Sequence, residues 1–392
     1  MKILSVNAGS SSLKFQAYEM PEEEVLISGV FERIGMDNSF YTIKINGEKT
    51  KKEVDLKDHK AAFKILVDEL IENKVIKDCK EIEAVGHRTV QGGEKYDHTV
   101  IIDDSVISDM EKYAPLAPLH NPAGITGIKA SQEVFKDALQ TAVFDTAFHA
   151  TMDEENYLYP VPYKWYTNYG VRKYGMHGTS HRYVSKRMNE ILGRDDTKLI
   201  TCHIGNGASI SAVVNGKCID TSMGLTPNAG VMMGSRCGDI DCSIVPYIME
   251  QAKMTGKEVD NALNKESGLL GVSGVSSDSR DVEDGIAKGD ERCILAQKMY
   301  VRRIINYIAM YYVEMKGADA IVFTAGVGEN SISTRKQIIE GLSVLGIKLD
   351  EEANNTRGEE KLISTESSKI ACYVIPTDEE LMIARDTYKL AK

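Results

Sequence analysis

The chain repeats itself once, and that repeat limits the folds open to it. Residues 3–15 read ILSVNAGSSSLKF, and residues 199–213 read LITCHIGNGASISAV. Each is an apolar run, a polar residue (Asn7 or His203), a small-residue turn, and then a second run that restarts the alternating β pattern. Both read as β-hairpins whose tight turns contain Gly9 and Gly205. Small residues at such a turn let backbone N–H groups approach an anion closely. Two similar hairpins half a chain apart point to two related domains. At 392 residues the chain is long enough for two or three.

Between the hairpins, helical and strand patterns alternate. Residues 58–77 carry Ala62, Ile65, Leu66, Leu70 and Ile71 near helical spacing. Residues 180–192 open on Ser180, a helix-capping residue type, and close at Gly193. Residues 293–315 predict a long amphipathic helix bearing Ile294, Leu295, Met299, Ile304, Ile305 and Ile308. Strands are expected at Ala84–Val85, Ala142–Phe144, Ile321–Thr324 and Ile370–Ile375. Strands alternating with helices imply an α/β architecture. The domain boundary is expected near residue 150, and a last helix near 378–391 is expected to return to the first domain.

Bulk composition narrows the function. Hydrophobic residues are 42% and charged residues 27%, an ordinary globular balance. The net charge of −11 gives no bulk attraction for nucleic acid or an anionic membrane surface. Any bound anion must be held by particular cations, backbone N–H groups and a metal. Seven scattered cysteines with no C-x-x-C pair read as reduced thiols, as in a cytosol. The opening Met-Lys-Ile-Leu-Ser-Val-Asn has an apolar run too short for a signal peptide. No stretch has the length of a membrane span.

The familiar nucleotide signatures are missing: there is no G-x-x-x-x-G-K-[ST] loop, no G-x-G-x-x-G and no protein-kinase set. His177 and His181 stand four apart, but the Glu expected in a helical zinc site is lacking and Gly178 weakens a helix there. Four clusters carry more. They are VGHRTVQGGE around Arg88, MGSRCGDID around Arg236, SSDSRD around Asp278 and Arg280, and FTAGVGENS from Phe323. An Arg beside glycines can present its planar fork to a carboxylate or phosphate. The last cluster follows an apolar strand, where α/β sheets bind nucleotides. Asp145 and Glu379–Glu380 stand at strand ends. Carboxylates there can hold Mg²⁺, while at a helix N-terminus they also favour the dipole.

The stretches NAGSSSLKF, VGHR, APLHNPA, FDTAFH, YGMHGTSH, HIGNGASI, DTSMG, MMGSRCGDID, FTAGVGENS and PTDEELMIARDT occur in the order of the acetate kinase family, and the chain resembles that family over nearly its whole length. The resemblance implies an actin-like, Hsp70-like fold of the sugar kinase superfamily. Two ribonuclease-H-like domains would flank an interdomain cleft, residues 1–149 with about 381–392 forming one and 150–380 the other. The second would carry the nucleotide site and the dimer interface. It implies Mg²⁺ (Mn²⁺ as a substitute) at Asn7 and Glu379, and catalytic roles for Arg88, Asp145, His177 and Arg236. The acyl site maps to Arg88, Val90, Leu119, His120, Met176 and Pro227. ATP or ADP contacts map to Lys14, to His203, Ile204, Gly205, Asn206 and Gly207, to Asp278, Ser279 and Arg280, and to Gly326, Val327, Gly328, Glu329 and Asn330. The activity implied is transfer of the ATP γ-phosphate to acetate in a cytoplasmic homodimer, without nucleic-acid or membrane partners.

The chemistry agrees with these residue types. A carboxylate acceptor is already ionised at pH 7 and needs no base. The task is to bring two anions together in line and neutralise the moving phosphoryl group. His177 is therefore read as an electrostatic and hydrogen-bonding group. Asp145 could orient Arg88 or Arg236, or hold the metal through water. Five residues depart from the family pattern: Gln91, Met176, Asn228, Ala229 and Cys242. Met176 adapts to different shapes, which keeps propionate or butyrate open as acceptor. A nucleotide switch of the same fold would turn over ATP without any acid.

Overall fold

The computed structural model describes residues 1–118 and 120–392. Packing divides the chain into two units, Met1–Phe148 with Asp378–Lys392, and His149–Thr377. Residues 378–380 therefore sit in the first unit with the rest of the last helix, as its pattern suggests, rather than in the 150–380 domain that the resemblance implies.

The first unit is built on eight strands. They are β1 (Lys2–Ala8), β2 (Ser12–Glu19), β3 (Glu24–Glu32), β4 (Phe40–Ile45), β5 (Glu48–Glu53), β6 (Ile82–Thr89), β7 (Val100–Ile101) and β8 (Leu139–Phe144), in the order β5-β4-β3-β2-β1-β6-β8-β7. The first five form an antiparallel meander, and β6 and β8 join β1 in parallel. The expected hairpin is present: Ala8 pairs with Leu13, and the Gly9 N–H donates to the Ser12 carbonyl at 2.9 Å.

The second unit has six strands. They are β9 (Lys198–Ile204), β10 (Ala208–Val214), β11 (Lys217–Thr221), β12 (Ala320–Thr324), β13 (Lys361–Leu362) and β14 (Ala371–Val374), in the order β11-β10-β9-β12-β14-β13. Its hairpin β9–β10 turns through Gly205–Gly207, with Ile204 opposite Ala208. Each sheet has the same kernel, an antiparallel hairpin whose first strand is extended by parallel partners. The expected α/β architecture is observed.

Helices cover the sheets with differences that have local causes. The first spans His59–Glu72 rather than 58–77, because Lys74 is left-handed (φ 59°) and ends it. Asp58 caps it, accepting from the Ala61 N–H. The next spans Gly178–Leu192. Ser180 is not its cap, because the Ser180 hydroxyl lies buried against Thr377 Oγ1 and His203 Nδ1. His177 holds the capping position with φ 59°. The long helix is Glu291–Glu314, started two residues early by Asp290, which accepts from Arg292 and Cys293. Its buried stripe runs through Cys293, Ala296, Tyr300, Ile304, Ile308 and Tyr311, while Leu295 stays 51% exposed. The last helix, Glu379–Ala391, packs against β1 and β6 as expected. That packing needs Gly86: a Cβ there would lie 2.2 Å from Thr387 Oγ1.

Candidate functional site

In the first unit, β6 carries Arg88 and the end of β8 delivers Asp145. Thr89 pairs with Phe144 in parallel register, so the two side chains leave neighbouring strand ends. Arg88 Nε donates to Asp145 Oδ1 at 3.1 Å and Nη2 to Oδ2 at 2.7 Å, a bidentate pair. Asp145 is fully buried. Glu379, at the start of the last helix, places Oε2 at 3.6 Å from Arg88 Nε. Glu380 pairs with Lys14 at 2.5 Å. Burial works against the Arg88 charge, but Asp145 and Glu379 outweigh it and push its pKa up. Burial pushes Glu379 up to about 7; Arg88 pulls it down and Asp145 and Glu380 add to the rise.

A cavity of about 430 Å³ adjoins this cluster, lined by Asn7, Ser12, Lys14, Arg88, Val90 and His120 among others. Among the described residues, no three His, Cys, Asp or Glu side chains converge as a metal cage. Mg²⁺ does not demand one, being held by one or two protein oxygens with water and phosphate. The Asn7 amide, on the cavity wall, and the Glu379 carboxylate, beside Arg88, offer the hard oxygens that ion takes. Leu119 lies outside the described residues. Gln91, one of the departures, is used structurally: its Oε1 accepts from the Gly93 N–H at 2.9 Å.

In the second unit, the β9–β10 turn is the organising element. A Cβ added to Gly207 would lie 3.3 Å from Arg236 Nη1 and 3.6 Å from His177 Nε2. The turn thus brings a cation and an imidazole to one point. Arg236 Nη1 donates to the Pro227 carbonyl at 3.1 Å. Among the described residues it meets no carboxylate, and burial pulls its pKa down. His177 stacks on His203 with ring centres 4.0 Å apart, and its Nδ1 lies 2.9 Å from Ser209 Oγ. A non-glycine residue held left-handed, as His177 is, stores backbone strain that functional sites retain.

Beside this corner lies a cavity of about 500 Å³. Of the expected nucleotide contacts, Gly205, Asn206, Asp278, Ser279, Arg280, Gly326, Val327 and Asn330 line it. Gly326 has open space above its Cα. The others are placed differently. Ile204 is fully buried in the strand, and His203 bonds Ser180 at 2.8 Å. Glu329 accepts from the Ala325 and Thr377 N–H groups, and the Gly328 carbonyl accepts from Arg335. Lys14 belongs to the first unit's cavity. The strand at Ala320–Thr324 runs directly into a short helix, Ala325–Asn330. Sequence reasoning missed Tyr300, Glu283 and Arg357, which also line the cavity. The buried Tyr300 hydroxyl has no partner among the described residues. Nothing in its sequence context marks it beyond its place on an amphipathic helix.

Of the remaining acyl positions, Met176 is buried and its carbonyl accepts from His149 Nε2 at 2.9 Å. Met176 and Pro227 lie in the second unit, Val90 and His120 in the first.

Comparison with known proteins extends these observations. The model of the acetokinase family matches residues 2–385. An acetate kinase of Bacillus velezensis is 54% identical, with 100% of both chains covered. One of Geobacillus kaustophilus is 54% identical over 100% of this chain and 99% of its own. The crystal structure of Porphyromonas gingivalis acetate kinase superposes with a TM-score of 0.94 at 47% identity, covering 100% of both chains. That of a propionate kinase from Francisella tularensis also gives 0.94, at 42% identity and 99% coverage of both. With a family model spanning nearly its whole length and relatives above half identity, this chain belongs to the acetokinase family.

Proposed function

We propose that this chain moves the γ-phosphate of ATP onto the carboxylate of acetate, reversibly, giving acetyl phosphate and ADP. The observation that carries the reading is the corner at Gly207. There a half-buried Arg236, meeting no carboxylate among the described residues, and the Nε2 edge of His177 border one point, next to a nucleotide-sized cavity. The names of the relatives support acetate as acceptor.

In this reading the acetate oxygen attacks the γ-phosphorus as the bond to the ADP oxygen breaks, and no proton has to move. Arg236 and Arg88 bind equatorial phosphoryl and carboxylate oxygens and offset their charge. His177 donates to a phosphoryl oxygen. Asp145 holds the Arg88 fork in one orientation. Val90, His120, Met176 and Pro227 bound the acyl group, and the Gly326–Asn330 segment faces the nucleotide. When bound through Asn7 and Glu379, Mg²⁺ would neutralise phosphate charge. The two units are read as the two ribonuclease-H-like domains. The cytosol is the expected compartment, consistent with seven free cysteines and with no helix long and apolar enough to cross a membrane among the described residues. A homodimer is the expected state.

Steady-state ADP release with Mg-ATP tests the activity. Release that requires acetate is expected; release unaffected by any acid would replace this reading with a nucleotide switch. A second acceptor, propionate, is favoured by the buried, adaptable Met176 and by the propionate kinase of like structure. One methylene in an apolar pocket is worth about 1–3 kcal/mol, so the ratio of kcat/KM values separates the two.

A further inference from the structure

His177 is one end of a buried chain of hydroxyls and imidazoles. Its Nδ1 lies 2.9 Å from Ser209 Oγ. The same Ser209 Oγ lies 2.7 Å from His181 Nε2. His181 Nδ1 in turn lies 2.7 Å from Thr201 Oγ1. Ser209, His181 and Thr201 are all buried. Ser209 and His181 stand on neighbouring elements, β10 and the Gly178–Leu192 helix, and Thr201 is on β9.

The direction of this chain follows from counting hydrogens. Each hydroxyl has one, and a neutral imidazole has one. The far end decides. Among the described residues Thr201 Oγ1 meets no polar partner other than His181 Nδ1. If His181 donated to it, the Thr201 hydrogen would be buried without an acceptor. An orphaned buried donor is rarer and costlier than an under-used oxygen lone pair. Thr201 therefore donates to His181 Nδ1. Burial, with His149 and His203 nearby, pulls the His181 pKa well below its usual value, so the ring is neutral. Its single hydrogen must then be on Nε2, which donates to Ser209. Ser209 spends its hydrogen on His177 Nδ1. His177 is left with its hydrogen on Nε2, the edge that borders Arg236 at Gly207.

We infer that Thr201, His181 and Ser209 are positioning residues that hold His177 as the neutral, Nε2-protonated tautomer, so that it meets the phosphoryl oxygen as a donor. A second hydrogen on His177 would give Ser209 two incoming donors and strand its own. Arg236 and the stacked His203 ring also oppose a second charge there. The function of the tautomer rests on the phosphoryl-transfer reading above; its existence does not.

The test uses the full chain labelled with ¹⁵N-histidine. Long-range ¹H–¹⁵N correlation at pH 7.5 reports each tautomer, His177 being assigned by the signals lost in His177→Asn. Nε2–H tautomers of both His177 and His181 are expected. Ser209→Ala should leave His177 a mixture of tautomers. It should lower kcat roughly 10- to 100-fold, with KM for ATP and acetate within about twofold. Ser209→Thr should restore both. Thr201→Val, which keeps shape and removes only the hydroxyl, should shift the same signals with a smaller loss of kcat. An Nδ1–H or doubly protonated His177 in the native protein would overturn the inference. So would wild-type kcat in both Ser209→Ala and Thr201→Val. If the native protein made no acyl phosphate, the functional reading would fail, while the tautomer result would still decide this one.

Discussion

Arg88 in the first unit and Arg236 in the second are both half-buried, and the two units treat that charge in opposite ways. Arg88 is forked onto Asp145 and lies 3.6 Å from Glu379. Arg236 touches only a carbonyl and the Met233 sulfur among the described residues. Carboxylates push the first pKa up against burial, and burial alone pulls the second down. Arg88 is therefore an oriented group whose charge is already balanced, and its carboxylates leave a local excess that suits a cation. Arg236 is uncompensated, so an arriving anion gains most there. A buried ion pair adds little net stability, but breaking one is expensive.

Alanine at each arginine separates these roles. Both variants should lose on the order of 10² to 10³ in kcat/KM. Their stabilities should differ more clearly. Arg88→Ala strands the fully buried Asp145 and should cost about 3–5 kcal/mol, read as a lower denaturant midpoint. Arg236→Ala removes a half-buried charge that meets no carboxylate among the described residues and should leave stability within about 0.5 kcal/mol of the native value, or raise it. Equal destabilisation by the two would break the comparison.

Acid should find the first unit through His87, one residue from Arg88. His87 is buried against Gln140 Oε1 at 2.7 Å, and burial pushes it down to about 4. Its folded pKa lies below the unfolded value, so the folded state binds fewer protons between the two. The stabilisation is complete above about pH 6.5 and is lost as pH falls toward 4, by up to about 3 kcal/mol. His87→Gln should flatten that slope in unfolding measured from pH 7 to 4.5.

The smallest effect is expected at Arg280. It pairs with Asp278, which that contact holds near 2, but its side chain is 85% exposed. Arg280→Ala should leave the denaturant midpoint essentially unchanged while raising KM for ATP several-fold. An unchanged KM would remove it from the nucleotide site.

Much of this was legible in the sequence where chemistry and local pattern coincide. The paired hairpins, Arg88, Asp145 and the glycines of the second cavity carry short-range signals. Ser180 did not, because its hydroxyl is claimed by Thr377, 197 residues away. On the Glu291–Glu314 helix, Leu295 and Met299 suggest an inner face, but Cys293, Gln297 and Tyr300 occupy it. Tyr300 and Arg357 reach the cavity by tertiary packing alone. Ser209 and Thr201 are unremarkable strand residues until the histidines they meet are in view.

The most direct measurement is acyl phosphate formation from Mg-ATP, trapped as the hydroxamate, across formate, acetate, propionate and butyrate. An acetate optimum is expected, with a rate that falls roughly 10² to 10³ in both Arg88→Ala and Arg236→Ala. A folded protein that releases ADP but yields no hydroxamate with any of the four acids would contradict it.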